Sequence, residues 1–332
     1  MRALTASAVA PLLGAALFFS PPAWAGAESA AARAKAALLA GNYAGAAELF
    51  GKAAAAGDPE GDVGLGFLLH SGLGVPKEPA KAFAHYSKAA AKKYPKGLYY
   101  LGRAYKTSAA GRPDHARAMA LFREAAAAGY APALEAVGVL YKKGQGVKAS
   151  NARALEWLGK AEKRGLETVY THLGDIYLEQ NKDRKAFYYF SLAVKKGEAQ
   201  AANSLGYMYA TGRGVVKDHE QALKWYRLSA RLGFAMAQYN LGDAYYAGAG
   251  VSADYAAAYK WLYISELTKE PTNSNNGMAL QRLPAVAAKL APSEMERLEK
   301  EARAEYLTCK ANHDAWSAER FCRDESPFLP SN

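Results

Sequence analysis

The chain has 332 residues, of which 51% are hydrophobic, and its formal net charge at pH 7 is +11. Length alone suggests two globular domains. After the N-terminal leader no segment approaches about 18 uninterrupted apolar residues, which excludes a later transmembrane helix.

Residues 1–25 have the features of a signal peptide. Arg2 supplies a positive charge, an apolar run covers positions 8–19, and Ala23-Trp24-Ala25 offers small residues for cleavage after Ala25. An uncleaved membrane anchor is the alternative, although the apolar run is short for a membrane span. The sequence therefore predicts a periplasmic or secreted bacterial protein with no transmembrane segment after cleavage.

A glycine that follows an aliphatic residue recurs along the middle of the chain. The interval is 36 residues in four cases and 32 in one, and the recurring glycines are Gly66, Gly102, Gly138, Gly174, Gly206 and Gly242. Self-similarity at such a period indicates a stacked repeat protein. Because each unit of an array packs mainly on its neighbours, one continuous core replaces separate domains.

Each unit predicts two helices joined by a turn. Gly206 and Ala222 have almost no side chain, so the two helices of that unit can approach closely. Gly212 and Gly214 can adopt positive φ, which ends the first helix and reverses the chain. Asp218 precedes the second helix, where its carboxylate can cap free backbone amides.

The pattern Ala-x-x-x-Leu-Gly-x-x-Tyr-x-x-Gly-x-Gly-Val, followed by Asp, Ala-x-x-Trp-Tyr and Ala, resembles the Sel-one-like repeat family, a branch of the tetratricopeptide superfamily. Residues 199–233 and 235–265 match almost position by position. The resemblance implies an all-α fold, an α-solenoid in which helix-turn-helix pairs form a right-handed superhelix. About six repeats occupy residues 59–265, and residues 26–58 are similar to a degenerate first pair. The family also implies a non-enzymatic adaptor.

Residues 266–332 form a non-repeating tail. A polar loop is predicted at 271–277, followed by helices at 278–288 and 292–309. We expect a C-terminal helical cap on the last repeat, with docking of a partner as the alternative.

The tail holds both cysteines of the chain, Cys309 and Cys322. In an oxidising compartment this pair is predicted to form a disulfide, which would stabilise the fold by ~3 kcal/mol in the chain-entropy model. A zinc site that includes His313 is the alternative, but it lacks an evident fourth ligand.

The first helices supply the candidate binding surface. With the recurring aliphatic residue as position zero, positions −2, +2 and +5 face the concave side if the array curves as tetratricopeptide arrays do. Aromatic and charged side chains together suit a recognition groove, although an ordinary solvated face is the alternative. The predicted partner-binding residues are Tyr99, Arg103, Lys106, Glu135, Lys142, Asp175, Asn203, Tyr207, Tyr239, Asp243 and Tyr246.

Most of the excess positive charge lies in the repeats, at the ends of second helices. Attraction to the helix dipole explains each of these residues singly. Stacking aligns them into a basic edge, which would attract acidic proteins or anionic polymers. Nucleic acid is not an expected partner outside the cytoplasm. The edge residues are Lys92, Lys93, Lys163, Arg164, Lys195, Lys196 and Arg231.

No catalytic constellation is apparent. The six histidines are scattered over different repeat positions, and no motif for a metal, a phosphate or a nucleophile occurs, so no cofactor is predicted. The sequence and the resemblance together predict an exported scaffold for protein–protein interaction, in envelope regulation, assembly or host interaction. Binding of cell-wall glycan or an anionic exopolysaccharide is the alternative. A β-lactam-binding or β-lactam-hydrolysing enzyme is less favoured, because the cysteine pair found in such family members is missing from these repeats.

Overall fold

The computed structural model describes residues 29–107, 111–268 and 277–323, with side chains as far as residue 308. The predicted signal peptide and most of the polar loop at 271–277 lie outside these residues. Within them the chain forms α-helices and no strand, which confirms the predicted all-α helical repeat fold.

The first fourteen helices form seven consecutive pairs, and two more follow them. In chain order the helices are α1 (Ala30–Leu39), α2 (Tyr43–Ala55), α3 (Pro59–Ser71), α4 (Pro79–Ala91), α5 (Pro95–Lys106), α6 (His115–Ala127), α7 (Ala131–Lys143), α8 (Asn151–Lys163), α9 (Val169–Glu179), α10 (Asp183–Val194), α11 (Ala199–Thr211), α12 (His219–Arg231), α13 (Ala235–Ala247), α14 (Tyr255–Thr268), α15 (Met278–Ala287) and α16 (Pro292–Arg323).

The two helices of a pair cross at the recurring glycine. A Cβ atom added to Gly206 would lie 2.6 Å from the ring of Tyr226, and one added to Gly102 would lie 2.7 Å from the ring of Phe122. Both rings are almost fully buried. The glycine is therefore the surface on which a bulky side chain of the second helix packs, and any side chain there would push the helices apart.

The second glycine of each paired turn joins one unit to the preceding one. Gly214 has φ +72°, and a Cβ atom there would lie 2.9 Å from the backbone carbon of Asp183, which begins α10. Gly250 has the same relation to His219, at 2.5 Å, at the start of α12. Asp218 caps α12 as predicted, because its Oδ1 accepts a hydrogen bond from the amide of Gln221 at 3.0 Å. Turn and cap together fix where each second helix begins.

The shortened turn of the fourth repeat keeps this arrangement without the glycine pair. Asn181 adopts positive φ, at 56°, in place of a glycine. Arg213 of the next turn donates hydrogen bonds to the carbonyl oxygen of Leu178 at 2.8 Å, to Oδ1 of Asn181 at 3.0 Å and to Oδ1 of Asp183 at 2.6 Å. One guanidinium thus closes the shortened turn onto its neighbour.

The tail covers the last repeat, as the capping interpretation expects. Both α15 and α16 pack on α14. Leu298 and Ala302 of α16 are buried, and Tyr259 of α14 donates a hydrogen bond to Glu299 at 3.0 Å. α16, a helix of 32 residues, also contacts α1 at the other end of the array.

The helix α16 extends beyond its predicted end and includes both cysteine positions, whose side chains lie outside the described residues. At 1.5 Å per residue, Cys309 and Cys322 are separated by about 20 Å along a continuous helix. A disulfide requires Cα atoms within about 7 Å. Pairing of these cysteines would therefore need α16 to end between them, and the disulfide stays a prediction.

We expect Gly206→Ala to lower the free energy of unfolding by about 1–3 kcal/mol, because the added methyl group meets the Tyr226 ring. The control is Gly159→Ala in α8, where a Cβ atom has no neighbour within 4 Å. That change should raise stability by about 0.5–1 kcal/mol through helix propensity. Urea unfolding followed by circular dichroism measures both, and equal effects would contradict the crossing argument.

Candidate functional site

The first helices of successive units lie side by side and form one face of the array, which we call the groove. Contacts join α1 to α3, α3 to α5, α7 to α9, α9 to α11 and α11 to α13. Second helices pack instead on the first helix of their own unit and on that of the next unit. The groove is therefore the surface on which the predicted partner-binding residues are to be located.

At the N-terminal end of the groove, Tyr99 is a packing residue. Its ring meets those of Tyr100 and Tyr130, with centroids 5.3 and 5.1 Å away. Arg103 is exposed, and its guanidinium carbon lies 5.4 Å from the centroid of the Tyr100 ring. The arginine therefore rests on a platform of tyrosines with its charged end at the surface.

Positive charge accumulates beside this platform. Burial lowers the pKa of Lys106, and the charges of Lys143 and Arg103 lower it further, while Glu135 acts in the opposite direction. Burial also lowers the pKa of His70, again with a contribution from Arg103. We call these four basic residues, His70, Arg103, Lys106 and Lys143, the cationic cluster. Its members destabilise one another's charged forms.

The sequence prediction missed two members of this cluster. His70 occupies position +5 of its unit, the same position as Lys106, so comparison of register would have found it. Lys143 lies outside positions −2, +2 and +5, which the sequence analysis assigned to the groove. Its effect on Lys106 depends on how the third and fourth units stack.

In the middle of the groove, polar side chains join adjacent first helices. Lys142 Nζ lies 2.9 Å from Asp175 Oδ2, and Gln200 donates to the same oxygen at 3.1 Å. Glu135 Oε2 accepts a hydrogen bond from Thr168 at 2.8 Å. Three of the predicted binding residues therefore hold units together, and the structure brings two of them, Lys142 and Asp175, into a direct ion pair.

Two other predicted residues lie on α11. Asn203 accepts a hydrogen bond from Asn240 of α13 at 2.9 Å and belongs to the same set of links between units. Tyr207 is 42% exposed and is the most accessible aromatic side chain among the predicted residues. Among the predicted residues it therefore offers an exposed aromatic ring to a partner.

The C-terminal end of the groove is covered by the tail. Arg282 of α15 lies 2.7 Å from Asp243, and its guanidinium carbon is 5.2 Å from the centroid of the Tyr246 ring. Tyr239 and Tyr246 pack in the apolar cluster that includes Leu283 of the same helix. The prediction that these three residues form part of an open groove differs from the structure, because α15 occupies their side of the last repeat.

The predicted basic edge is exposed along its whole length. Part of its charge is neutralised within the chain, since Lys93 pairs with Glu124 at 2.7 Å and Lys196 pairs with Glu167 at 2.9 Å. Exposed ion pairs of this kind add little to stability and are screened by salt. They offset two of the seven edge cations, so the edge keeps a net positive character.

The described residues hold no group of three or more His, Cys, Asp or Glu side chains placed to bind a metal ion. None of their helices combines the length and apolar character needed to cross a bilayer.

Comparison with known proteins identifies the repeats. The sequence model of the Sel1 repeat matches residues 38–58, 59–94, 95–130, 131–166, 170–198, 199–234 and 235–265. No relative is found among curated proteins.

Two solved structures are similar to the chain. One is c5321, a protective antigen present in uropathogenic Escherichia coli strains displaying an SLR fold, with a TM-score of 0.65, 27% identity and coverage of 91% of this chain. The chain spans only 65% of that protein's length. The other is a Sel1 repeat protein from Oxalobacter formigenes, with a TM-score of 0.60, 31% identity, and coverage of 72% of this chain and 100% of that chain.

We expect Lys106→Met to stabilise the protein by about 0.5 kcal/mol at neutral pH. The pKa of Lys106 is lower in the folded chain than in the unfolded one, so its charged form costs stability below the folded pKa. That cost fades as the pH rises towards the unfolded pKa, and the gain from the substitution should fade with it. Thermal unfolding at pH 7 and pH 10 measures the difference.

The matched control is Lys142→Met, one unit further at the same repeat position. It removes a half-buried partner of Asp175 and should cost about 1–3 kcal/mol. If both lysines behave alike, the distinction between the cationic cluster and the links between units is wrong.

Proposed function

The chain belongs to the Sel1 repeat family, and from that premise we propose that it is an exported, non-enzymatic scaffold whose groove binds an acidic segment of another protein. Sel1 repeat proteins generally mediate protein–protein interaction. Because the chain is proposed to be exported, we expect its partner in the bacterial envelope or outside the cell. The roles that fit this location are envelope regulation, assembly and host contact.

The cationic cluster is the observation that carries this proposal. Burial, and after it like charges in neighbouring first helices, lower the pKa values of Lys106 and His70, which is unfavourable for the isolated protein. An acidic side chain in the groove would restore the charged forms and would gain several charge-assisted hydrogen bonds. The arrangement is therefore one that a negatively charged partner stabilises.

The open part of the groove also suits a peptide. It extends from the tyrosine platform under Arg103 to the exposed ring of Tyr207, and α15 covers what lies beyond. An arginine on aromatic rings at one end and a rigid aromatic side chain at the other are typical anchors of protein interfaces. We therefore place the acidic residues of the partner near Arg103 and its apolar residues near Tyr207.

The exposed basic edge favours a second candidate, binding of an anionic glycan. Its cations lie on the other side of the array from the cationic cluster, at the ends of second helices. The groove is the stronger candidate because two of the edge lysines already pair with carboxylates of the chain.

A direct test uses a fluorescein-labelled acidic peptide that contains phenylalanine, and the chain from residue 26 onwards. We expect Arg103→Gln combined with Lys106→Gln to weaken binding at least tenfold, because each lost charge-assisted hydrogen bond is worth about 1.5–3 kcal/mol. Fluorescence anisotropy at low salt gives the dissociation constants.

The control removes the same number of charges from the edge, in Lys163→Gln combined with Arg164→Gln, and should leave peptide affinity within about twofold. Alginate serves as the glycan probe. Loss of alginate binding in the edge variant, with peptide binding weak in every protein, would favour the second candidate. A photo-crosslinker at position 207 in intact cells then identifies the natural partner, and no groove-dependent crosslink would contradict the proposal.

Export makes a separate prediction. In a Gram-negative host the full chain should be cleaved after Ala25, so that N-terminal sequencing of the periplasmic protein begins at Gly26. Ala25→Tyr should block processing because the cleavage site requires a small residue, while Trp24→Ala changes the adjacent tolerant position and should not. Recovery of the uncleaved wild-type chain in the cytoplasm would overturn the proposed location.

A further inference from the structure

A pocket of about 550 Å³ opens between the second helices of the first two units, on the side of the array away from the groove. α2 contributes Gly51, Ala54 and Ala55, which are small enough to leave the space free. The volume lies in the range of small-molecule sites. Its other walls come from α3 and α4.

A hydrogen-bonded pair of a carboxylate and an imidazole lies at the base of this pocket. Asp62 of α3 is 3% exposed, and its Oδ1 lies 2.9 Å from Nδ1 of His85 on α4. Because the carboxylate accepts the Nδ1 hydrogen, Nε2 is the ring nitrogen that remains for another partner. His85 is itself part of the pocket wall.

Comparison of equivalent positions shows that this pair is foreign to the repeat. The residues at the place of Asp62 in the next five units are Leu98, Leu134, Tyr170, Ala202 and Gln238. Those at the place of His85 are Leu121, Trp157, Tyr189, Trp225 and Trp261. None of these five units places a carboxylate or a histidine at either position, and apart from Gln238 the residues there are apolar or aromatic.

Stability does not explain the exchange. Replacing both partners of a buried hydrogen bond by apolar groups of the same shape can be nearly neutral or stabilising. In the next unit Leu98 and Leu121 pack in one apolar cluster, which shows that the fold accepts such residues at both places. The pair at Asp62 and His85 therefore has a role other than packing.

The charges around the pocket indicate what it binds. Lys88 and Lys92 stand on the wall beside His85, both exposed, and Lys92 donates a hydrogen bond to the carbonyl oxygen of Gly57 at 2.6 Å. Asp62 Oδ1 is taken by the histidine, and the two lysines give this wall its positive charge. Leu65 and the alanines give the remaining surface an apolar character.

We infer that this pocket is a binding site for a small organic anion, a molecule with one carboxylate or phosphate group and a compact apolar body. Lys88 and Lys92 attract the anionic group, and His85, held in place by Asp62, presents Nε2 to the bound ligand. The apolar body lies against Ala54 and its neighbours on α2. This site is independent of the groove.

The test follows the ring resonances of His85 by nuclear magnetic resonance in the chain from residue 26 onwards, with benzoate, acetate and inorganic phosphate as probes. Benzoate combines the anionic group with an apolar body and should shift the resonances saturably, with the highest affinity. Phosphate as the best ligand would place the phosphate class in the site instead. If none of the three produces a saturable shift, the inference is wrong.

Two double variants distinguish binding in this pocket from attraction of anions by the overall positive charge of the protein. Lys88→Ala combined with Lys92→Ala should weaken benzoate binding at least tenfold. The matched control two units along, Lys160→Ala combined with Arg164→Ala, should leave it within twofold. Equal losses in the two variants would mean that the anion is attracted only by the overall positive charge, which overturns the inference.

The pair itself is tested by Asp62→Leu combined with His85→Leu, which copies the next unit. Its unfolding temperature should equal or exceed that of the wild type, and benzoate binding, followed here by calorimetry, should be lost. Gly51→Leu provides a second variant that leaves the pair intact, because a Cβ atom there meets nothing within 4 Å and the side chain fills the pocket. Retention of wild-type affinity in either variant would overturn the inference.

Discussion

The contact between a glycine of the first helix and a bulky side chain of the second sets the geometry of the whole array. At Gly206 and Gly102 the facing ring lies where a Cβ atom would be, so the helix axes come close enough for the ring to be fully buried. The turn glycines Gly214 and Gly250 repeat this principle between units. The same contact recurs from the second unit to the seventh, and it helps to place the first helices on one face of the array.

The groove combines two uses of polar side chains. In the middle units Lys142 is neutralised by Asp175, which also accepts from Gln200, so these groups stabilise the stacking of units. Near the N-terminal end of the groove, burial lowers the pKa of Lys106, and the charges of Lys143 and Arg103 lower it further against the opposing effect of Glu135. A half-buried cation that lowers stability needs another explanation, and a negatively charged partner supplies one.

The sequence was sufficient for features that depend on local spacing. Helix pairs, the turn at Gly212 and Gly214 and the cap at Asp218 follow from residues within one unit, and the structure confirms them. Interactions between units could not be predicted in this way. Whether Asp175 meets solvent or Lys142 depends on a residue 33 positions earlier in the chain. Repeat register predicts which face of a helix a side chain occupies, but not which side chain of the adjacent unit it contacts.

The tail shows the same limit. Its helices were visible in the sequence, but the position of α15 over Asp243 and Tyr246 follows from how the last repeat ends and from the arginine at 282. A pattern that repeats along the array cannot reveal that one copy is covered. Similarly, the long α16 continues through a region with no strong apolar period, so its predicted end came too early.

Departures from the repeat are the most informative feature of the chain. Residues 199–265 match the family pattern most closely, and there the groove is linked by amides or covered by α15. The earlier units match less closely, and they hold both the cationic cluster and the pair of Asp62 with His85. Because equivalent positions in one chain share one geometry, each unit serves as a reference for the others. A residue type that the equivalent positions lack is therefore tolerated by the fold without being required by it, as the pair of Asp62 with His85 illustrates.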